Sequence, residues 1–440
     1  MQAEETSMLA SEELARELEL ESAGVPDVTH IAPLGLAQSL LYGVGGVAGG
    51  LVFTLMNNAL PLFLLAYTMP LGLPAFLNPG GPIPATIVAL LTNERSLFGG
   101  LIQPFVGHLS DRTRTRIGKR GPYMLAGGLG TALCIALLGL QPPFWIMIAA
   151  VTLAGVALFV AIGPYSALLA DITPYTQRGR IGSLIAVAGV VGAITFSLLS
   201  IALWGTARGW VFAITALLVA LTLAVAALWV REPREYVTHR SEQGGVRSMV
   251  GALMRERPLA IYIAAMAIYW LGAGAASPFI TRFGVKELGI AEETSFVLLL
   301  VVVVATSVGA LICGWLGDKF GRKRVLQPAL LLFAVAALAG SQVPNLEIAV
   351  PIMVLVGLGN AGPTALHLSL LADLVPHQRA GAFMGYASMV WSVAQPVGAL
   401  LAGILVDATQ SYRGVFVLAA VCMVLASIVM HKVPNGHKPE

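Results

Sequence analysis

The chain has 440 residues, 57% of them hydrophobic and only 11% charged, with a mean hydropathy of +0.81. Soluble domains carry about 25% charge, so a water-soluble globular protein is excluded. The formal net charge of +3 marks no nucleic-acid partner.

Residues 1–33 stand apart: seven glutamates precede Gly24 against Arg16 alone, which predicts an acidic tail without the basic opening of a signal peptide. Apolar windows follow at 35–62, 85–109, 121–141, 144–169, 180–204 and 209–230. After a polar stretch come 259–281, 295–317, 325–343, 348–372, 381–406 and 414–431. No Asp, Glu, Lys or Arg occurs from Gly121 through Ala170. A bilayer crossing takes about 20 apolar residues, so that stretch reads as two crossings joined at Gln141-Pro142-Pro143. A backbone in lipid must satisfy its own hydrogen bonds. The expected fold is therefore all-α and integral to the bilayer, with twelve transmembrane helices. Cys134, Cys313 and Cys422 fall within windows and read as small packing residues without a disulfide. The glycine-rich GVGGVAGG, residues 43–50, lies inside the first window and points to close helix packing.

Lys and Arg stay on the cytoplasmic side of a membrane. With both termini there, the tails and even-to-odd connections hold 21 of the 26, and the opposite side holds Arg208, Arg282, Lys286 and Arg413. The expected location is the cell membrane, with both termini cytoplasmic.

The chain repeats itself. GHLSDRTRTRIGKR, 107–120, follows the second window, and GWLGDKFGRKR, 314–324, follows the eighth. GPYSALLADITP ends the fourth window and SLLADLVP ends the tenth. Asp111 and Asp318 are 207 positions apart, and Asp171 and Asp373 are 202 apart. Two echoes at nearly one offset predict two pseudo-symmetric six-helix bundles, 34–230 and 259–432. A cytoplasmic linker, 231–258, with six arginines joins them, and a short tail, 433–440, follows. Parallel halves of this kind mark a rocking transporter with its site between them.

An acid at the head of a basic loop can hold a guanidinium through charge-assisted hydrogen bonds or face a helix N-terminus. Asp111 with Arg112 and Arg116, and Asp318 with Arg322, are thus expected gating groups that engage when the halves close on the cytoplasmic side. Asp171 and Asp373 join them, while Arg114 and Lys119 read as topology anchors. Ionisable groups inside a bilayer are costly and functional by default. Glu94 and Arg95, in TNERS, are the candidates for proton coupling. Glu94 lies 17 residues before Asp111, about 25 Å along a helix, and Asn57 and Asn58 lie at similar depth. Nearer the midplane are Tyr269, Trp270, Asn360, Trp391 and Gln395. Amides suit sugar hydroxyls and aromatic faces suit sugar C–H surfaces. The substrate-binding candidates are Asn57, Gln103, Tyr269, Asn360, Trp391 and Gln395. His108 and His367 read as structural residues. There is no G-x-x-x-x-G-K-[ST] loop, HExxH or C-x-x-C, so neither an enzyme nor a nucleotide-driven pump is expected, and no cofactor or metal ion.

Gly314 to Arg324 resembles the signature loop of the major facilitator superfamily. Ile102 to Met124 is similar to the corresponding stretch of the sucrose transporters and of the glycoside–pentoside–hexuronide cation symporters. GPYSALLAD, 163–171, resembles the fourth-span motif of the sucrose group, except that Ser166 stands in place of its arginine, which points away from sucrose itself. Gln103 and Gly99 stand where sodium-using relatives carry acids, which points away from sodium. The resemblance implies a secondary transporter working by rocking alternating access, importing a sugar or glycoside with a proton. A proton-driven exporter of drugs or metabolites is the alternative. Exporters of the superfamily carry a Gly/Pro-rich motif in the fifth span, whereas 181–204 has no proline. A third reading is a non-transporting receptor or assembly factor on the same fold.

Overall fold

A computed structural model describes residues 34–71, 80–115, 117–173, 175–229, 257–375 and 380–434; within it, the side chains of 94–101, 104, 111, 170, 175, 176, 178 and 380–386 are not described. The whole of the acidic tail, 1–33, and most of the expected linker and C-terminal tail therefore lie outside the described residues.

Helices cover every apolar window. They are α1 Leu36–Ala66, α2 Ala85–Arg112, α3 Gly121–Gly139 and α4 Phe144–Ile172. One run, Tyr175–Trp229, contains non-helical Ala207 (φ −146°, ψ 52°), which divides it into α5 (175–206) and α6 (208–229). Its 55 residues would extend about 80 Å, far beyond one bilayer. The second half has α7 Arg257–Glu287, α8 Glu292–Phe320, α9 Arg322–Gly340, α10 Leu346–Leu374, α11 Ala380–Thr409 and α12 Arg413–His431. Ten described helices are long and apolar enough to cross a membrane. Counting the break at Ala207 and adding α2 is consistent with twelve crossings.

Each half has its own apolar core. One runs from Ala48 to Leu223, the other from Leu259 to Val433. The exceptions are reciprocal: Ala85 and Ala89 of α2 enter the second core, and Phe296 and Leu299 of α8 enter the first.

The repeat extends to backbone irregularities. In α1, a π-turn, Leu55–Ala59, ends two residues before Pro61. Proline lacks an N–H and clashes with the carbonyl four residues back; the wider turn accommodates both. In α7, Pro278 sits in a 3₁₀ turn, Ser277–Phe279. Pro164 in α4 and Pro363 in α10 each follow a glycine inside a helix.

Glycine lets paired helices touch, as GVGGVAGG predicted. A Cβ on Gly50 of α1 would lie 1.8 Å from the Gly189 carbonyl oxygen of α5. The equivalent pair in the second half is α11 against α7, where a Cβ on Gly398 would lie 1.9 Å from the Leu271 oxygen. The three cysteines are free.

Candidate functional site

Polar and aromatic side chains of α7, α8, α10 and α11 converge. The Tyr269 hydroxyl donates to Asn360 Oδ1 at 2.6 Å. Asn360 Nδ2 reaches Thr306 Oγ1 of α8 at 3.5 Å, and Thr306 donates to the Gly357 carbonyl at 3.1 Å. Beside this chain stands an aromatic cluster. The Trp270 ring lies 5.2 Å from Tyr269, 6.0 Å from His367 and 6.4 Å from Trp391, and His367 and Trp391 are 5.0 Å apart. The indole N–H groups of Trp270 and Trp391 are buried and have no hydrogen-bond partner among the described residues. A buried donor without an acceptor costs about 1–3 kcal/mol, so these two sites are primed for one.

Helix geometry assembles the cluster. Asn360, Pro363, Thr364 and His367 lie three or four residues apart and share one face of α10. His367 Nδ1 lies 2.9 Å from the Pro363 oxygen and 3.0 Å from that of Thr364, one turn back on its own helix. That contact fixes the Nδ1–H tautomer. Sequence reasoning placed His367 as structural, yet its ring packs against both tryptophans; its i+3 and i+7 spacing from Thr364 and Asn360 was the available signal.

The other expected residues are dispersed. Asn57 is fully buried in the π-turn, where its Nδ2 donates to the Phe53 carbonyl at 3.1 Å. The side-chain oxygens of Asn57, Asn58 and Asn93 are buried without a partner among the described residues. Gln103 is exposed and lies along α4, its Cγ 3.6 Å from where a Cβ on Gly163 would stand. Gln395 stands one turn beyond Trp391, and its backbone abuts Gly274 of α7. The side chains of Glu94, Arg95 and Asp111, and all of Arg116, lie outside the described residues.

At the basic-loop face, the acids pair within their own halves. Asp171 at the end of α4 meets Lys119 Nζ at 2.9 Å and Arg120 Nε at 2.7 Å. Asp373 at the end of α10 pairs with Arg322. Both Arg–Asp pairs span 51 positions, so the repeat preserves the contact. The cations that reach Asp171 adjoin the start of α3, which packs antiparallel to α4; Lys119 is thus an ion-pair partner as well as an anchor. Arg112 is exposed. Asp318 is mostly exposed and lies 4.0 Å from Arg322.

At the opposite face, hydrogen bonds join the halves. The Asp407 carboxylate of α11 accepts from Ala85 N at 2.7 Å, Thr86 N at 2.9 Å and Thr86 Oγ1 at 2.6 Å, capping α2. Glu292 of α8 accepts from Trp204 Nε1 at 2.8 Å and Arg208 at 2.6 Å. Thr281 Oγ1 donates to the Asn58 carbonyl at 2.7 Å, and Arg282 Nε to the Pro61 carbonyl at 2.5 Å. The π-turn bears on these contacts, since its altered ladder lies where α7 approaches. None of this was legible in the sequence, where the four cations of this face served only to set orientation.

Two repeated bundles of membrane-length helices, meeting at one face over a polar and aromatic cluster, define a multi-pass membrane transporter. The pattern of the MFS/sugar transport protein family matches residues 41–432, and the chain belongs to that family of the major facilitator superfamily. It is 26% identical over 371 residues to the isoprimeverose transporter of Lactiplantibacillus pentosus, covering 80% of this chain and 74% of that one. It is 26% identical over 330 residues to the multidrug resistance protein MdtG of Citrobacter koseri, covering 74% and 79%. Its fold matches a bacterial homologue of the human lysosomal transporter Spinster in an inward-facing, occupied conformation, with a TM-score of 0.70 at 13% identity over 90% of this chain and 95% of that one.

Proposed function

We propose that this protein is a symporter that imports a neutral sugar or glycoside with a proton by rocking its two halves, with both termini cytoplasmic. The observation that carries the reading is the Tyr269–Asn360–Thr306 chain beside Trp270 and Trp391. It combines amide and hydroxyl groups for sugar hydroxyls with aromatic faces for C–H surfaces. The similarity to the isoprimeverose transporter supports the substrate class. Asn57, Gln103 and Gln395 would complete contacts from α1, α2 and α11, and Glu94 with Arg95 would carry the proton. The positive-inside bias assigns the basic loops to the cytoplasm. The joined face is then extracellular, and the conformation is inward-facing. Asp111, Asp318 and their basic neighbours would engage when the cytoplasmic side closes.

The test is uptake of labelled isoprimeverose and related glycosides into liposomes under an imposed pH gradient without sodium. Uptake that follows the gradient supports the reading, and an absolute sodium requirement overturns the coupling. The similarity to a multidrug resistance protein favours a second reading, export; ethidium extrusion by vesicles that take up no glycoside would establish it.

A further inference from the structure

We propose that His367 determines specificity, making the site select a neutral hydroxyl over a carboxylate when unprotonated and reversing that preference when protonated. The inference rests on the sugar-transport reading above and adds a residue outside its substrate set.

The chemistry follows from the tautomer. Nδ1 faces the Pro363 and Thr364 carbonyls of its own helix, which can only accept. Nδ1 therefore carries the proton, and the opposite ring edge, Nε2, is an acceptor in the neutral imidazole. The flanking indoles supply the complementary groups: buried N–H donors on Trp270 and Trp391, without acceptors among the described residues. Two donors and one acceptor on three adjacent rings match a hydroxyl, which accepts from indole and donates to Nε2. A carboxylate has no proton for Nε2 and meets its lone pair. Protonation turns Nε2 into a third donor, and three donors match a carboxylate. Imidazole is the side chain whose change of charge can turn an acceptor edge into a donor without any other group changing. Among the described residues, few titratable or charged groups stand near His367. Tyr262 of α7 donates to the His367 carbonyl, Tyr269 stands beyond Trp270, and at the basic-loop end of α9 and α10 the Arg322–Asp373 pair neutralises itself, with Arg322 also bonded to the Ser369 carbonyl.

The probes are isoprimeverose and a methyl β-glucoside with its matched methyl β-glucuronide. Quenching of tryptophan fluorescence in the purified full chain is titrated at pH 8 and pH 5.5. Trp270→Phe and Trp391→Phe assign the signal. The expected result is a glucoside-over-glucuronide preference that falls by about tenfold on acidification, the equivalent of one hydrogen bond to a charged group. In His367→Gln, whose side chain does not titrate, the preference should become independent of pH, with glycoside binding weakened by the altered contact but still measurable. Glycoside binding with the same pH dependence of preference in wild type and His367→Gln overturns the role of His367 alone. Quenching by none of the probes overturns the sugar reading and the inference with it. Should His367→Gln fail to fold, His367→Asn carries the same comparison, and unchanged preference between pH 8 and pH 5.5 in the wild type refutes the proposal without any variant.

Discussion

Asp407→Asn isolates the clasp that joins α11 to α2. The carboxylate receives three hydrogen bonds, two from backbone N–H groups that begin α2 and one from the Thr86 hydroxyl, at 2.6 to 2.9 Å. Hydrogen bonds to a charged group contribute about 1.5–3 kcal/mol each, and a carboxylate at a helix N-terminus adds up to about 1 kcal/mol when exposed. Asparagine keeps one acceptor oxygen and loses the charge, and the site is only half-buried, so the net loss is about 2 kcal/mol. Because the bonds exist only while this face is joined, that loss bears on the conformational equilibrium and shifts it about 30-fold toward the open form. The assay uses a chain in which the three native cysteines are replaced and Asn57→Cys is introduced, since Asn57 is fully buried behind the joined face. Labelling by an impermeant maleimide from that face should rise by roughly the same factor in Asp407→Asn. Equal labelling with and without the substitution would refute the reasoning, because it would show that the clasp does not bear on opening.

Further predictions concern the repeat and the proton. Asp171→Asn and Asp373→Asn should impair transport alike, since each breaks the equivalent ion pair in its own half; a large effect of one and none of the other in liposome uptake would break the symmetry argument. Gly50→Ala should lower the thermal midpoint measurably, because its Cβ has no room against the Gly189 carbonyl, while Gly49→Ala, which meets nothing within 4 Å, should be neutral; equal midpoints would contradict the packing. Glu94→Gln should exchange substrate across the membrane yet fail to accumulate it under a pH gradient, as expected of a side chain locked in its protonated form; normal accumulation would remove Glu94 as the proton carrier.

Much of the fold was legible because lipid simplifies it. A chain that must bury every backbone polar group in apolar windows of fixed length announces its helices, and the Asp111/Asp318 and Asp171/Asp373 echoes announced the halves. Tyr269 and Asn360 were each readable as polar groups near the midplane, and they are hydrogen-bonded. The sequence read His367 as structural, and its Nδ1 contact with its own helix fits that reading; the ring contacts with Trp270 and Trp391 left no mark in the sequence, because a histidine in a helix looks the same whether it caps a carbonyl or faces a ligand. The clasp was invisible for a different reason. Asp407 and Ala85 are more than 300 positions apart, and two of the three donors are backbone N–H groups, which leave no mark on residue type.

The reciprocal lodging of Ala85 and Ala89 in one core, and of Phe296 and Leu299 in the other, has a mechanical consequence. Apolar contact is non-directional and scales with area, so it survives a rotation of several degrees almost unchanged. Hydrogen bonds weaken steeply as their angles close. The seam therefore contains a bearing and a catch side by side: α2 and α8 can turn in their sockets at little cost, while Asp407 of α11, against the start of α2, and Glu292, at the start of α8, hold or release. Neither half can leave the other without exposing the residues it has lent, so the machine can swing but does not come apart.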